Sequence, residues 1–143
     1  MMGIDLSDAM SEVRREPVAV MFLEVADNQV GITEGWERLE RTVGDLRGRR
    51  FFGTVDAQAP GYRVCVQQRE DDQPAELGLA EGTIPGGRYL RVRLRGEPPA
   101  LYQRIAPTVE RLEATGHRDS ARPVIEHYRR RDEVDILMPL ADN

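Results

Sequence analysis

The chain has 143 residues, of which 40% are hydrophobic and 31% charged, so it is long enough for one domain with a single core and has a globular composition. Its formal net charge of −5 disfavours direct nucleic-acid binding, because such surfaces need positive charge to neutralise phosphates. One cysteine and two histidines supply no metal-ligand spacing, and no apolar run approaches the roughly 20 residues of a membrane span. We therefore expect a cytoplasmic protein without metal, cofactor, nucleic-acid or membrane partner.

The first half of the chain predicts a strand, a helix and two further strands. Val18–Val25 is a nearly continuous apolar run, short enough for a buried strand. Residues 50–56 and 62–68 predict two more strands, the second with clean alternation between its two faces. Between Val18–Val25 and residue 50, apolar residues recur at spacings of four and three, which indicates one face of an amphipathic helix: Ile32, Trp36, Leu39, Val43 and Leu46.

The second half repeats this order. Residues 84–95 alternate as a strand, and residues 123–128 and 134–140 predict the last two strands. Pro107 predicts a kink or a split in the intervening helix, because proline lacks an N–H and clashes with the preceding turn. The apolar stripe of that helix has four members: Leu101, Ile105, Val109 and Leu112.

The two β-α-β-β units cover about residues 17–70 and 84–140. They predict an α+β domain over residues 17–143, with antiparallel sheets and helices packed on one sheet face. The other face is then solvated, paired with another element or lining a cleft. Residues 1–16 are polar with scattered apolar positions, and we expect them to form a tail or a short helix.

Glu126 is a single carboxylate between Ile125 and His127 in a short β-type run. Acidic residues are depleted from strands and rarely buried, so Glu126 is either solvated beside an arginine or functional. In a pocket, burial would raise its pKa and disfavour its charge, a cost that a cationic ligand would offset. The same raised pKa would suit a general acid. Strand alternation places Tyr128 on the face of Glu126 and His127 on the opposite face.

Three segments of the second half occur together in an order that resembles the GyrI-like effector-binding domain family: IPGGRYLRVRLRG at 84–96, PVIEHY at 123–128 and VDILMPL at 134–140. This family is related to the ligand domains of AraC-type and multidrug-responsive transcription activators. The resemblance implies duplicated β-α-β-β units with pseudo-two-fold symmetry and a cleft between the halves. It implies amphipathic ligands, often cationic or aromatic, and places the family's pocket glutamate at Glu126.

Five further residues are candidates for ligand binding because they are aromatic or cationic: Tyr128, Trp36, Tyr89, Tyr62 and Arg91. Each also has a structural interpretation, since a tryptophan on an apolar stripe packs in the core and a row of arginines on a strand is solvated. The resemblance departs on the second helix, where Ile105 and Val109 are aliphatic. We therefore expect fewer aromatic walls than the family usually carries.

Three functions follow from these residues and from the resemblance. The first is a stand-alone small-molecule-binding protein whose cleft is centred on Glu126. The second is a hydrolase of strained cyclopropane-containing DNA-alkylating compounds, in which Glu126 is the catalytic residue. The third is a protein-interaction module, such as a gyrase modulator with a protein partner. The sequence leaves open whether the chain is a monomer or a homodimer.

Overall fold

The computed structural model describes residues 9–56 and 60–142, which form one antiparallel sheet of eight strands together with four helices. The strands are β1 (Met10–Arg15), β2 (Val18–Val25), β3 (Phe51–Val55), β4 (Tyr62–Gln67), β5 (Ala80–Ile84), β6 (Gly87–Arg95), β7 (Val124–Arg130) and β8 (Glu133–Pro139). The helices are α1 (Gln29–Val43), α2 (Pro74–Leu77), α3 (Ala100–Gln103) and α4 (Ile105–Glu113). The predicted α+β class is confirmed. Among the described residues, no helix combines the length and apolar character that crossing a bilayer requires.

The order of strands in the sheet, β1-β6-β8-β7-β3-β4-β2-β5, has the pseudo-two-fold symmetry that was predicted. Strands β3 and β7 pair at the centre, and each half continues outward through corresponding strands. Each unit gains one strand and reads β-β-α-β-β. The added strands are exchanged, because β1 pairs with β6 of the second unit and β5 pairs with β2 of the first. The predicted repeat is therefore confirmed and extended at both outer edges.

The exchanged strands make the sheet curl. Only two residues connect β1 to β2, and only two connect β5 to β6. In a flat sheet each of these pairs would lie about 29 Å apart, a distance that two residues cannot bridge. The curl closes over an inner core: Val18, Val20, Phe22, Phe52, Cys65, Ile84, Tyr89, Ile125 and Leu137.

The helices pack on the outer face of the curled sheet. Helix α1 begins after Asn28, whose side chain accepts a hydrogen bond from the Gly31 amide at 2.7 Å, and it ends at Gly44 with φ +78°. It packs on β2 and β4, while α4 packs on β8. The helix predicted for the second unit is split at Arg104, three residues before Pro107, into α3 and α4, as predicted. The central β3–β7 pair therefore lies between the helices of the two units.

Two segments differ from the sequence-based expectation. Met10–Arg15 form strand β1, whereas a polar tail or a short helix was predicted over residues 1–16. Residues 1–8 of that segment lie outside the described residues. Ala80–Ile84 form strand β5, which begins in the interval left between the two predicted units. Both are edge strands, and edge strands carry polar and charged residues that hide the alternation of a buried strand.

Candidate functional site

A buried carboxylate bound by two tyrosines lies on the outer face of the central strand pair. Glu126 of β7 is only 6% exposed, and it stands opposite Gly53 of β3 in the register. Its Oε1 accepts hydrogen bonds from the hydroxyls of Tyr62, at 2.5 Å, and Tyr128, at 2.6 Å. The two hydroxyl oxygens are 3.2 Å apart. Both hydroxyls donate to Oε1 and neither donates to Oε2, so one carboxylate oxygen carries both tyrosine contacts.

Gly53 makes room for this cluster. A Cβ atom at position 53 would lie 1.7 Å from the Tyr62 hydroxyl and 3.0 Å from Glu126 Oε1. Any other residue would therefore displace the tyrosine from the carboxylate. The sequence carried a signal for this position, because a glycine inside a strand often marks a close approach of another group. That signal was not used in the sequence-based prediction.

Aromatic rings from both helical layers meet at Tyr128. The Trp36 ring on α1 lies 5.4 Å from the Tyr128 ring, and the Tyr102 ring on α3 lies 6.1 Å from it, both edge to face. Phe51 extends the cluster at 6.3 Å from Trp36. Tyr102 was missed from the sequence because it lies beside the apolar stripe of its helix, not on it. It is 44% exposed, so it is an unusually solvent-accessible large ring at the edge of the cluster.

The Glu126 carboxylate lacks a cationic partner among the described residues. Burial raises the pKa of Glu126, and the hydrogen bonds from Tyr128 and Tyr62 offset only part of that rise. Burial and the neighbouring Glu126 charge also raise the pKa of Tyr62 and of Tyr128, so both hydroxyls stay protonated. The site is therefore a carboxyl group that accepts hydrogen bonds from two neutral donors and has no cationic partner among the described residues.

Asp135 of β8 shows the opposite arrangement on the inner face of the sheet. It is fully buried, and its carboxylate accepts hydrogen bonds from Arg93, at 2.7 and 3.1 Å, and from Arg15, at 3.1 Å. Although burial raises the pKa of Asp135, the bonds and charges of Arg93 and its neighbours outweigh it and hold the pKa below its usual value. The two buried acids thus differ in whether the chain itself supplies the counter-charge.

The structure brings together four of the six candidate residues: Glu126, Tyr128, Trp36 and Tyr62. The other two, Tyr89 and Arg91, lie on the inner face of β6, away from Glu126. The Tyr89 hydroxyl donates to the Pro85 carbonyl at 2.5 Å, and its ring is part of the inner core. Arg91 donates to the Ser11 hydroxyl at 3.2 Å. Side chains alternate along β6, so Leu90 and Val92 point to the opposite face, where they pack in the core between the sheet and the helices.

Two surface cavities lie elsewhere. One of about 120 Å³ opens on the inner face beside Phe22, Arg63 and Cys65, and one of about 250 Å³ lies between α1 and the end of β2. Neither reaches Glu126. Tyr102 is the most exposed of the rings that surround Glu126. Within residues 9–56 and 60–142, no group of three or more acidic, histidine or cysteine side chains could hold a metal ion.

Replacing Gly53 with alanine is expected to destabilise the chain by about 1–3 kcal/mol, because the added methyl group overpacks the cluster. The new Cβ would overlap the Tyr62 hydroxyl and break its hydrogen bond to Glu126. Chemical denaturation measures the loss. Combining the change with Tyr62→Phe removes the clashing oxygen, so the double variant should lose less than the two single losses added together. A Gly53→Ala variant as stable as the wild type would contradict the close packing of Tyr62 and Glu126 against Gly53.

No protein-family model matches the chain, and no curated protein matches its sequence. Solved structures match its fold over nearly the full length. An integron cassette protein from the mobile metagenome of Vibrio cholerae is 15% identical, with a TM-score of 0.73, over 92% of this chain and 95% of that one. SAV2435, solved bound to tetraphenylphosphonium, is 13% identical, with a TM-score of 0.69, over 93% and 94%.

A hydrolase from Listeria innocua has the same fold, at 9% identity and a TM-score of 0.60, over 92% of this chain and 91% of that one. At such identities the likeness establishes the fold alone. The fold that the GyrI-like resemblance implies is thereby confirmed. One fold serves a ligand-bound protein and a hydrolase, so function must be argued from the site of this chain.

Proposed function

We propose that this chain binds lipophilic organic cations, with Glu126 as the counter-charge and the surrounding aromatic rings as the walls of the site. The observation that carries the proposal is a 6%-exposed carboxylate with two tyrosine donors and no ion pair among the described residues. Burying an unpaired charge is costly, and a chain normally pairs it, as this one does at Asp135. A bound cation would relieve that cost at Glu126.

The aromatic rings suit the apolar part of such a ligand. Trp36 and Tyr102 approach Tyr128 from the two helical layers, and their faces offer cation–π contacts once the rings turn to admit a ligand. The fold neighbour SAV2435 is bound to tetraphenylphosphonium, an organic cation with four phenyl groups. That ligand chemistry combines the two features that the Glu126 site of this chain offers, a negative charge and aromatic faces.

Tetraphenylphosphonium is expected to quench the fluorescence of Trp36, the single tryptophan of the chain, with a saturable titration curve. Trp36 contacts Tyr128, so a ligand that reaches Glu126 changes the surroundings of the indole. Tetraphenylborate is the matched control, because it has nearly the same shape and the opposite charge. Comparable binding of the borate would contradict a role for the Glu126 charge, and the absence of any quenching by the phosphonium would count against the site.

A second candidate function is hydrolysis of strained cyclopropane-containing DNA-alkylating compounds at the same glutamate. It is favoured by the raised pKa of Glu126, which suits a general acid or the activation of water, and by the hydrogen-bonded tyrosines that could assist. The hydrolase among the fold neighbours is compatible with it. The test compares turnover of such a compound by the wild type and by Glu126→Gln. Equal rates would exclude Glu126 from any reaction, whereas ligand binding without turnover supports the first proposal.

A further inference from the structure

The inner face of the sheet carries an arginine cluster. We define it as five arginines around Asp135 and Glu133: Arg15, Arg91, Arg93, Arg95 and Arg129. These seven side chains carry a net charge of +3 in a chain whose net charge is −5. A local excess of positive charge on an acidic protein attracts anions to one place on the surface.

The two carboxylates use the donors of these arginines unequally. Arg93 donates twice to Asp135, and Arg95 donates to Glu133 at 2.8 Å. Arg129 lies 3.5 Å from a Glu133 oxygen and 3.9 Å from an Asp135 oxygen, distances too long for good hydrogen bonds. A guanidinium has five N–H donors, so Arg129 retains donors for a further acceptor.

Arg15 and Arg91 also retain N–H donors for a further acceptor. Arg15 donates once to Asp135, at 3.1 Å, and Arg91 donates once to Ser11, at 3.2 Å. Burial lowers the pKa of Arg15, and the positive charges of Arg91 and Arg129 lower it further, against the effect of Asp135. Three guanidinium groups from three different strands therefore repel one another with only part of their charge compensated.

His127 supplies a second, independent observation on the same face. Its side chain is 7% exposed and stacks on Phe52 at 4.6 Å, and it stands opposite Asp135 in the register of β7 and β8. Its Nδ1 has no hydrogen-bond partner among the described residues, although buried polar atoms almost always have one. Burial lowers the pKa of His127 to about 4, and the positive charges of Arg15 and Arg129 act in the same direction, against the charge of Asp135. The unpartnered nitrogen and the incompletely paired arginines thus belong to one cluster.

We propose that Arg15, Arg91 and Arg129, together with His127, bind a phosphate group. A tetrahedral oxyanion offers several oxygens in different directions, which matches guanidinium groups converging from β1, β6 and β7. A phosphate oxygen would also accept a hydrogen bond from Nδ1–H of neutral His127. The site lies on the face of the sheet opposite to Glu126, so it is independent of the cation site.

The experiment titrates the whole chain with inorganic phosphate and follows the melting temperature, with ionic strength held constant by sodium chloride. Phosphate is expected to raise the melting temperature in a saturable manner. Arg129→Gln and Arg91→Gln should each weaken the apparent affinity at least about tenfold, because each removes charge-assisted hydrogen bonds. Arg131→Gln is the matched control, because Arg131 follows in the same hairpin, is exposed and pairs with Glu97. Its response should equal that of the wild type.

Three results would overturn the proposal: no response of the wild type to phosphate, equal losses in Arg131→Gln and Arg129→Gln, or an equally strong response to acetate. Equal losses would indicate general attraction to positive charge, and an equal response to acetate would remove the preference for a tetrahedral group. His127→Phe should weaken phosphate binding while retaining the stacking on Phe52. Glu126→Gln should respond as the wild type does, so the outcome does not depend on the proposed cation site.

Discussion

Replacing Glu126 with glutamine is expected to raise the melting temperature of the chain at neutral pH and to weaken lipophilic-cation binding about 100-fold. Stability rises because the variant removes a buried charge without a cationic partner among the described residues, while the amide oxygen still accepts hydrogen bonds from Tyr62 and Tyr128. Affinity falls because loss of one partner of a buried charge pair costs about 2–5 kcal/mol. A gain in stability coupled to a loss of binding is typical of a functional residue and not of a structural one.

The pH dependence of this variant has a definite sign. The folded-state pKa of Glu126 is raised, so its contribution to stability is fully present below the unfolded pKa, near 4.5, and is lost as the pH rises through the folded pKa. The melting-temperature advantage of Glu126→Gln should therefore be small below pH 4 and grow as the pH increases. Cation binding needs the ionised carboxylate, so wild-type affinity for tetraphenylphosphonium should rise over the same pH interval.

Thermal melts and tetraphenylphosphonium titrations across a pH series measure both effects. Glu24→Gln is the matched control, because Glu24 is an exposed carboxylate paired with Arg63 and its replacement should change neither quantity by much. A Glu126→Gln variant that melts below the wild type at pH 7, or that binds the phosphonium with undiminished affinity, would contradict the proposed role of Glu126.

The parts of the fold that the sequence predicts are those whose apolar periodicity is local. The strand Val18–Val25, the helix that carries Trp36 and the helix break before Pro107 each depend on spacings within one element. Strands β1 and β5 do not, because their partners lie in the other unit and their edge positions favour polar residues. The curl follows from this exchange of strands, so it was not predictable either.

The same distinction applies to the site. Alternation within β7 places Glu126 and Tyr128 on one face, and that prediction needs only a spacing of two residues. Tyr89 lies in β6, and alternation within that strand does not tell which of its faces corresponds to the face of Glu126. The register of β6 and β7 with β8 between them decides it, and places Tyr89 in the inner core. Gly53 and Tyr102 depend in the same way on contacts between elements.

Replacing Asp135 with asparagine is expected to destabilise the chain by about 3–5 kcal/mol, because it removes the acidic partner of a buried cluster of charges. Asp135 accepts hydrogen bonds from Arg93 and Arg15 and lies 3.9 Å from Arg129, so the variant leaves three guanidinium groups facing a neutral amide. Chemical denaturation at pH 7 measures the loss. Asp45→Asn is the control, because its exposed carboxylate pairs with Arg47 at the surface and should contribute at most about 1 kcal/mol.

The pH dependence here runs opposite to that of Glu126. The folded-state pKa of Asp135 is lowered, so its contribution to stability is present above the unfolded pKa, near 3.8, and is lost as the pH falls through the folded pKa. The difference in the free energy of unfolding between wild type and Asp135→Asn should therefore be constant near neutrality and shrink in acid below pH 3.8. Phosphate should stabilise the variant more than the wild type, because Arg15 and Arg129 then lack their internal carboxylate. A variant as stable as the wild type at pH 7 would show that Asp135 is not needed to hold the arginines together.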